Sequence, residues 1–146
     1  MSKADHHVWQ CGAMTQPEPF VVHEHDVARE EWDDPVKGQL SWRTLLSADR
    51  TPTSTMTVGV AEVEPGGSDE FHPHRHADPE IYYILDGEGL VEIDGVEYGV
   101  RRGSAVFIPG NAWHSSRNTG ATTLRLLYAF AVDSFHQVQY VFPDSD

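Results

Sequence analysis

"HPHRHADPEIYYILDG" (residues 72–87) decides how this chain is read. His72, His74 and His76 alternate with other residues, Glu80 follows Pro79, and an aromatic and aliphatic run ends at Asp86-Gly87. In an extended segment, side chains at i and i+2 point to the same face. His74 and His76 therefore project together, and the short loop before Glu80 can bring a carboxylate beside them. His114, in "PGNAWHSSRN" (109–118), follows the apolar run "SAVFI" (104–108). A hairpin-rich barrel would carry it back to the same cavity. Three imidazoles and one carboxylate suit a divalent first-row metal, Fe(II), Mn, Ni, Co or Zn, and spacing does not choose among them. The competing reading is a histidine-rich surface loop, which is the better account of any one of these histidines taken singly. His72 shares the parity of His74 and is expected beside the ligands or exposed. His6, His7, His23, His25 and His136 have no comparable setting.

From residue 39 onward the chain reads as short strands, each closed by a turn. "LSWRTLL" (40–46) precedes a turn-rich gap. "TMTVGVAEVEPGG" (55–67) places Met56, Val58 and Val60 on one parity and stops at Pro65-Gly66-Gly67. "GLVEIDGVEYGV" (89–100) carries the signature of a hairpin, with Asp94-Gly95 as its tight turn. "GSAVFIPG" (103–110), "TLRLLYAFAV" (123–132) and "HQVQYVF" (136–142) are further expected strands. Short strands at near-regular spacing indicate an all-β sandwich or barrel. Residues 1–38 lack this rhythm and carry acidic clusters such as "REEWDDP" (29–35). They read as an arm packing on a β-domain of residues 39–146.

The 146 residues suffice for one domain with its own core. Four Trp, five Tyr and six Phe argue for a globular chain. A formal charge of −13 disfavours nucleic acid, whose phosphates need a basic face. No run of 18 apolar residues spans a membrane, and "MSKADHHVWQCGAM" (1–14) lacks the apolar stretch of a signal peptide. Cys11 is the single cysteine, so an internal disulfide is excluded and a reducing cytoplasm is the expected compartment.

These residues resemble the cupin superfamily. Its first motif is matched by Gly67, "HRH" (74–76), Glu80 and Gly87, with one residue more than usual between Gly67 and His74. Its second motif is matched by Gly103, Pro109, His114 and Asn118, with the glycine expected two after the proline standing directly after it, at Gly110. The resemblance implies a single-domain double-stranded β-helix (jelly-roll) barrel. It also implies one divalent transition metal, with Fe(II) favoured, held by His74, His76, Glu80 and His114. A narrower likeness is to the small single-domain cupin lyases that cleave dimethylsulfoniopropionate (DMSP). Those have a tyrosine two residues after the ligand glutamate and another late in the chain, matched here by Tyr82 and Tyr140.

The implied reaction is a β-elimination giving dimethyl sulfide and acrylate, with Tyr82 as base and Tyr140 as a reserve base or a substrate-orienting hydroxyl. Tyr82 and Tyr83 alternate faces, so one points inward. The substrate's sulfonium suits aromatic faces, for which Trp113, Tyr128, Phe107 and Phe130 are candidates. Arg75, on the opposite parity to its neighbours, is expected to be solvated. Two other classes compete: an Fe(II) dioxygenase acting on a small molecule, and a non-catalytic binder of a small ligand. A homodimer, with Trp9, Phe20 and Trp32 in an exchanged or packing arm, is the expected assembly.

Overall fold

The structure, a computed structural model, describes residues 18–66 and 70–143. Cys11 and Trp9, and Gly67 of the first motif, lie outside the described residues. Ten strands run in chain order: β1 Glu30–Asp34, β2 Gly38–Leu46, β3 Thr57–Val63, β4 Glu70–His74, β5 Glu80–Asp86, β6 Glu88–Ile93, β7 Val96–Arg101, β8 Ala105–Ile108, β9 His114–Asn118 and β10 Leu124–Phe130. Two single 3₁₀ turns, Glu24–Asp26 and Phe135–Gln137, are the helical elements among the described residues. No helix there is long and apolar enough to cross a membrane.

The strands form one antiparallel sheet in the order β7-β6-β9-β4-β2-β3-β10-β5-β8, with β1 added on β2. Strands β9 and β5 are five places apart in that order, yet Glu80 on β5 approaches His114 on β9 to 3.4 Å. A flat sheet would hold them some 24 Å apart at about 4.8 Å per strand. The sheet has therefore curled into a barrel, and its closure assembles the site. Ile84, Ile108, Leu124, Val63 and Val91, each at most 1 % exposed, fill the interior beneath.

Local chemistry sets the connections. Asp94 (φ 47°) and Gly95 (φ 83°) both take left-handed conformations between β6 and β7, the two-residue hairpin turn expected from the sequence. Asp94 then ties down the approach to β9: its N–H donates to the Trp113 carbonyl at 2.8 Å, and its carboxylate accepts from the Trp113 N–H at 3.0 Å. Asn118, last in the second motif, donates to the carbonyls of Val63 (2.9 Å) and Thr122 (2.8 Å) and accepts from the Gly120 N–H (2.8 Å). Its role is to close the β9–β10 turn and tie it to the end of β3.

On β3 the cavity-facing parity is that of Ala61 and Val63, while Met56 is 59 % exposed. A central strand apolar on both faces leaves its alternation ambiguous. Two expectations are corrected. The segment "HQVQYVF" (136–142) is not a strand. Ser134 and Gln137 form a reciprocal capping box that favours a 3₁₀ turn at Phe135–Gln137, and only Val141 makes a β-bridge, to Arg75. The proposed arm boundary after residue 38 cuts a hairpin: β1 pairs with β2 from Glu30↔Trp42 to Asp34↔Gly38. Trp32 of the presumed arm faces the barrel cavity, and Phe20 is exposed.

Candidate metal centre

His74 ends β4, His76 stands in the loop after it, Glu80 opens β5 and His114 opens β9. Each imidazole is fixed by a carbonyl two residues away. His74 Nδ1 meets His72 O at 2.8 Å, His76 Nδ1 meets Asp78 O at 2.7 Å, and His114 Nδ1 meets Ala112 O at 2.8 Å. A carbonyl only accepts, so the proton sits on each Nδ1 and the Nε2 lone pair is free. This is the supporting arrangement that orients metal-bound histidines. Nitrogens of His74, His76 and His114 lie within 4.8 Å of one another, so the triad can hold a metal ion.

Glu80 completes the group. Its Oε1 lies 3.5 Å from His76 Nε2 and 3.4 Å from His114 Nε2, and all four residues are at most 3 % exposed. The three Nε2 atoms and Glu80 Oε1 are buried without a hydrogen-bond partner. Buried polar atoms are nearly always satisfied, and an unpaired one costs about 1–3 kcal/mol. Four such atoms gathered in one place, three imidazole nitrogens with a carboxylate oxygen beside two of them, suit a first-row divalent metal. The electrostatics agree. Burial, together with its neighbours His114 and His76, pushes the His74 imidazole well below its ordinary value, so it is neutral and able to ligate. Burial also pulls His76 down, but the Glu80 carboxylate and, after it, Asp78 together outweigh it and raise His76. The carboxylate thus draws positive charge into the site.

The second motif braces the first. Asn111 donates its N–H to the His76 carbonyl at 2.7 Å. Asn111 stands where the motif expects glycine and adopts the left-handed conformation glycine would (φ 63°). Asparagine tolerates that region better than most residues. Gly110 is needed for a separate reason: a Cβ there would lie 2.4 Å from the Ala77 carbonyl oxygen.

The sequence-based candidates separate cleanly. Tyr82 points inward at 2 % exposure, Tyr83 outward at 45 %. Tyr82, Tyr128, Tyr140 and Glu80 line one cavity. The Tyr82 ring lies 6.5 Å from that of His114, and the Tyr140 ring lies 5.3 Å from both His74 and His76. Burial first, and the Glu80 charge second, push both Tyr82 and Tyr140 well above the ordinary tyrosine value. Tyr128 is spoken for structurally by a 3.2 Å hydrogen bond with Thr44. Phe130 is buried against the His76 ring at 5.1 Å. Phe107 is 65 % exposed on the outer face of β8, and Trp113 lies under the Arg75 guanidinium at 4.9 Å. Neither belongs to the cavity wall, and Arg75 is stacked rather than free in solvent. His72 turns away to the Val36 carbonyl at 3.1 Å.

The divergence of His72 has a local cause. Between Phe71↔Ser116 and His74↔His114, three steps along β4 oppose two along β9. This bulge at His72-Pro73 switches parity, so Phe71 faces inward and stacks on His74 at 3.9 Å. Sequence reasoning also missed Trp32, Trp42 and Ser116 on the cavity wall. Trp42 shares its parity with Leu40 on β2, and that alternation was the available signal.

Comparison with known proteins agrees with this geometry. Residues 59–130 match the model of the Cupin domain. Dimethylsulfoniopropionate lyase DddW of Ruegeria pomeroyi is 38% identical over 136 residues, covering 93% of this chain and 87% of that protein. The oxalate-binding protein of Thermotoga maritima is 33% identical over 62% of this chain and 74% of its own length. Among solved structures, the polyketide cyclase RemF of Streptomyces resistomycificus superposes with a TM-score of 0.71 at 25% identity, covering 88% of this chain and 89% of that one. A curled antiparallel barrel, both motifs in order and a full-length relative lead to one assignment: the chain belongs to the cupin superfamily.

Proposed function

We propose that His74, His76, Glu80 and His114 hold one divalent transition metal, with Fe(II) favoured, and that the chain is a lyase cleaving DMSP to dimethyl sulfide and acrylate. The observation that carries this reading is the buried, partnerless N₃O quartet, whose Glu80 lines the same cavity as Tyr82 and Tyr140. The likeness to a DMSP lyase over nearly the whole chain supports the choice of substrate.

Tyr82 takes the proton from the carbon beside the substrate carboxylate. The C–H electron pair becomes the new double bond, and the C–S pair leaves on sulfur as neutral dimethyl sulfide. Tyr82 is two residues after Glu80 and on its face of β5, which suits this position. The neutral phenol that burial enforces is a weak base. A divalent cation held by the quartet supplies positive charge that favours the phenolate and the negative charge building on the substrate carboxylate. Tyr140, whose ring lies 5.3 Å from both His74 and His76, orients the substrate.

Headspace gas chromatography for dimethyl sulfide tests this, with protein loaded separately with Fe(II), Mn, Ni, Co or Zn. Tyr82→Phe is expected to lower release by about 10²–10⁴-fold, and Tyr140→Phe by less. Release surviving in Tyr82→Phe and lost in Tyr140→Phe reassigns the base. No release with any metal overturns the lyase and makes oxygen uptake the next assay.

A further inference from the structure

The cavity that Glu80 lines encloses about 30 Å³. That is room for a water or two, whereas pockets that take small molecules hold about 300–1,000 Å³. A ligand therefore enters only if a wall moves. Every residue lining the cavity stands on a paired strand except Phe135 and Tyr140. Moving a strand breaks ladders: β10, for instance, is paired with β3 on one side and β5 on the other.

The segment after β10 is held differently. Its first part is anchored. The Phe135 N–H donates to the Ser47 hydroxyl at 3.0 Å, the Ser134 hydroxyl donates to Asp49 at 3.0 Å, and Val138 is buried in the core. Beyond Val138 the ties thin out. Among the described residues, 139–142 hydrogen-bond to the rest of the chain at one place. There the Arg75 N–H donates to the Val141 carbonyl at 2.9 Å, and the Val141 N–H to the Arg75 carbonyl at 2.8 Å. The other contacts are between rings. The Tyr140 and Phe142 centroids lie 5.3 and 5.9 Å from that of His74. Phe142 stands 6.1 Å from Trp32, with the Lys37 ammonium 5.8 Å from its ring.

Arg75 lies between two histidines of the quartet, so the bridge clips this segment to the backbone carrying His74 and His76. Its release does two things at once. Tyr140 and Phe142 can leave the imidazoles, and the backbone between the two ligands loses a tether.

We propose that residues 139–142 form a gate over the metal centre, latched by the Arg75–Val141 bridge and by Phe142, and that metal and substrate pass only when it swings out from Val138. The proposal rests on the quartet as the metal site and is independent of which substrate is turned over.

Two measurements test it. In the metal-free protein, amide exchange followed by NMR reads the latch. The Arg75 and Val141 amides are expected to share one opening equilibrium and to be at least about tenfold less protected than Leu127 and Tyr128 of β10. Zinc uptake and release, followed with a chromophoric chelator, read the passage. The variants are Val141→Pro, which cannot donate to Arg75, and Phe142→Ala. A gate limits traffic in both directions, so each variant is expected to speed uptake and release together, by about tenfold. A segment that merely supported the ligands would speed release alone. Bridge amides as protected as those of β10, or release speeded without uptake in both folded variants, overturns the gate. A protein that takes up no zinc sinks the quartet as the metal site, and the exchange data then decide the gate by themselves.

Discussion

Gly110→Ala offers a test of the bracing between the two motifs. The new methyl carbon would lie 2.4 Å from the Ala77 carbonyl oxygen, where ordinary van der Waals contact starts at 3.4 Å. That oxygen is backbone and cannot rotate away, so the Pro109–Ala112 and His76–Pro79 loops must separate by about 1 Å, enough to disable a preorganised site. The separation pulls on the 2.7 Å bond from Asn111 N–H to the His76 carbonyl, and with it on the orientation of a ligand. Overpacking of this kind costs about 1–3 kcal/mol of stability. Loss of a contact that supports a ligand lowers metal affinity about 10–100-fold. Competition with a chromophoric chelator reads the affinity directly. Thermal unfolding gives a second reading, because a tenfold weaker metal removes about 1.4 kcal/mol of the stabilisation that metal confers. The matched control is Gly99→Ala on β7, where an added Cβ meets nothing within 4 Å and the backbone is not left-handed. Gly110→Ala binding metal as tightly as wild type would refute the bracing argument, whatever its effect on stability.

The segment that carries Tyr140 is pinned at its base by Asp49, which accepts from the hydroxyls of Ser47 and Ser134 and contacts His136 Nε2 at 3.1 Å. The Ser47 hydroxyl chiefly holds the Asp49 carboxyl down to about 2, against an ordinary 3.8. A depressed folded value contributes stability above 3.8 that is lost as pH falls through about 2. Asp49→Asn is therefore expected to flatten the melting temperature across that window relative to wild type and to speed hydrogen exchange around Val138–Val141. Identical profiles for the two proteins would refute the pin. Tyr128→Phe loses one hydrogen bond, to Thr44, and is expected to cost about 1 kcal/mol in chemical denaturation while keeping dimethyl sulfide release. A collapse of turnover comparable to that of Tyr82→Phe would place Tyr128 in the chemistry.

The residues of this centre differ in how visible they were before the fold was known, and the difference follows the range of the contacts that place them. His74, His76 and His114 are each oriented by a carbonyl two residues away. Spacing over a few residues carries that information, so the ligand pattern reads directly. The Asp94-Gly95 turn is local in the same sense. The aromatic wall is not. Trp32 reaches the cavity through pairing of β1 on β2, and Phe71 through a bulge whose only local mark is Pro73. Parity in "AVFI" (105–108) is symmetric on paper. It is settled by pairing with β5, where Glu80↔Ile108 turns Ile108 inward and leaves Phe107 in solvent. A tyrosine two residues after a ligand inherits that ligand's face, which is why Tyr82 could be assigned from β5 by itself, while Tyr140 depends on a capped turn and a single bridge to Arg75. The chemistry assigned to Tyr82 thus stands on short-range geometry. The aromatic wall around Trp32 stands on the pairing of β1 with β2, so a variant that loosens that pairing is expected to change tryptophan fluorescence before it weakens metal binding.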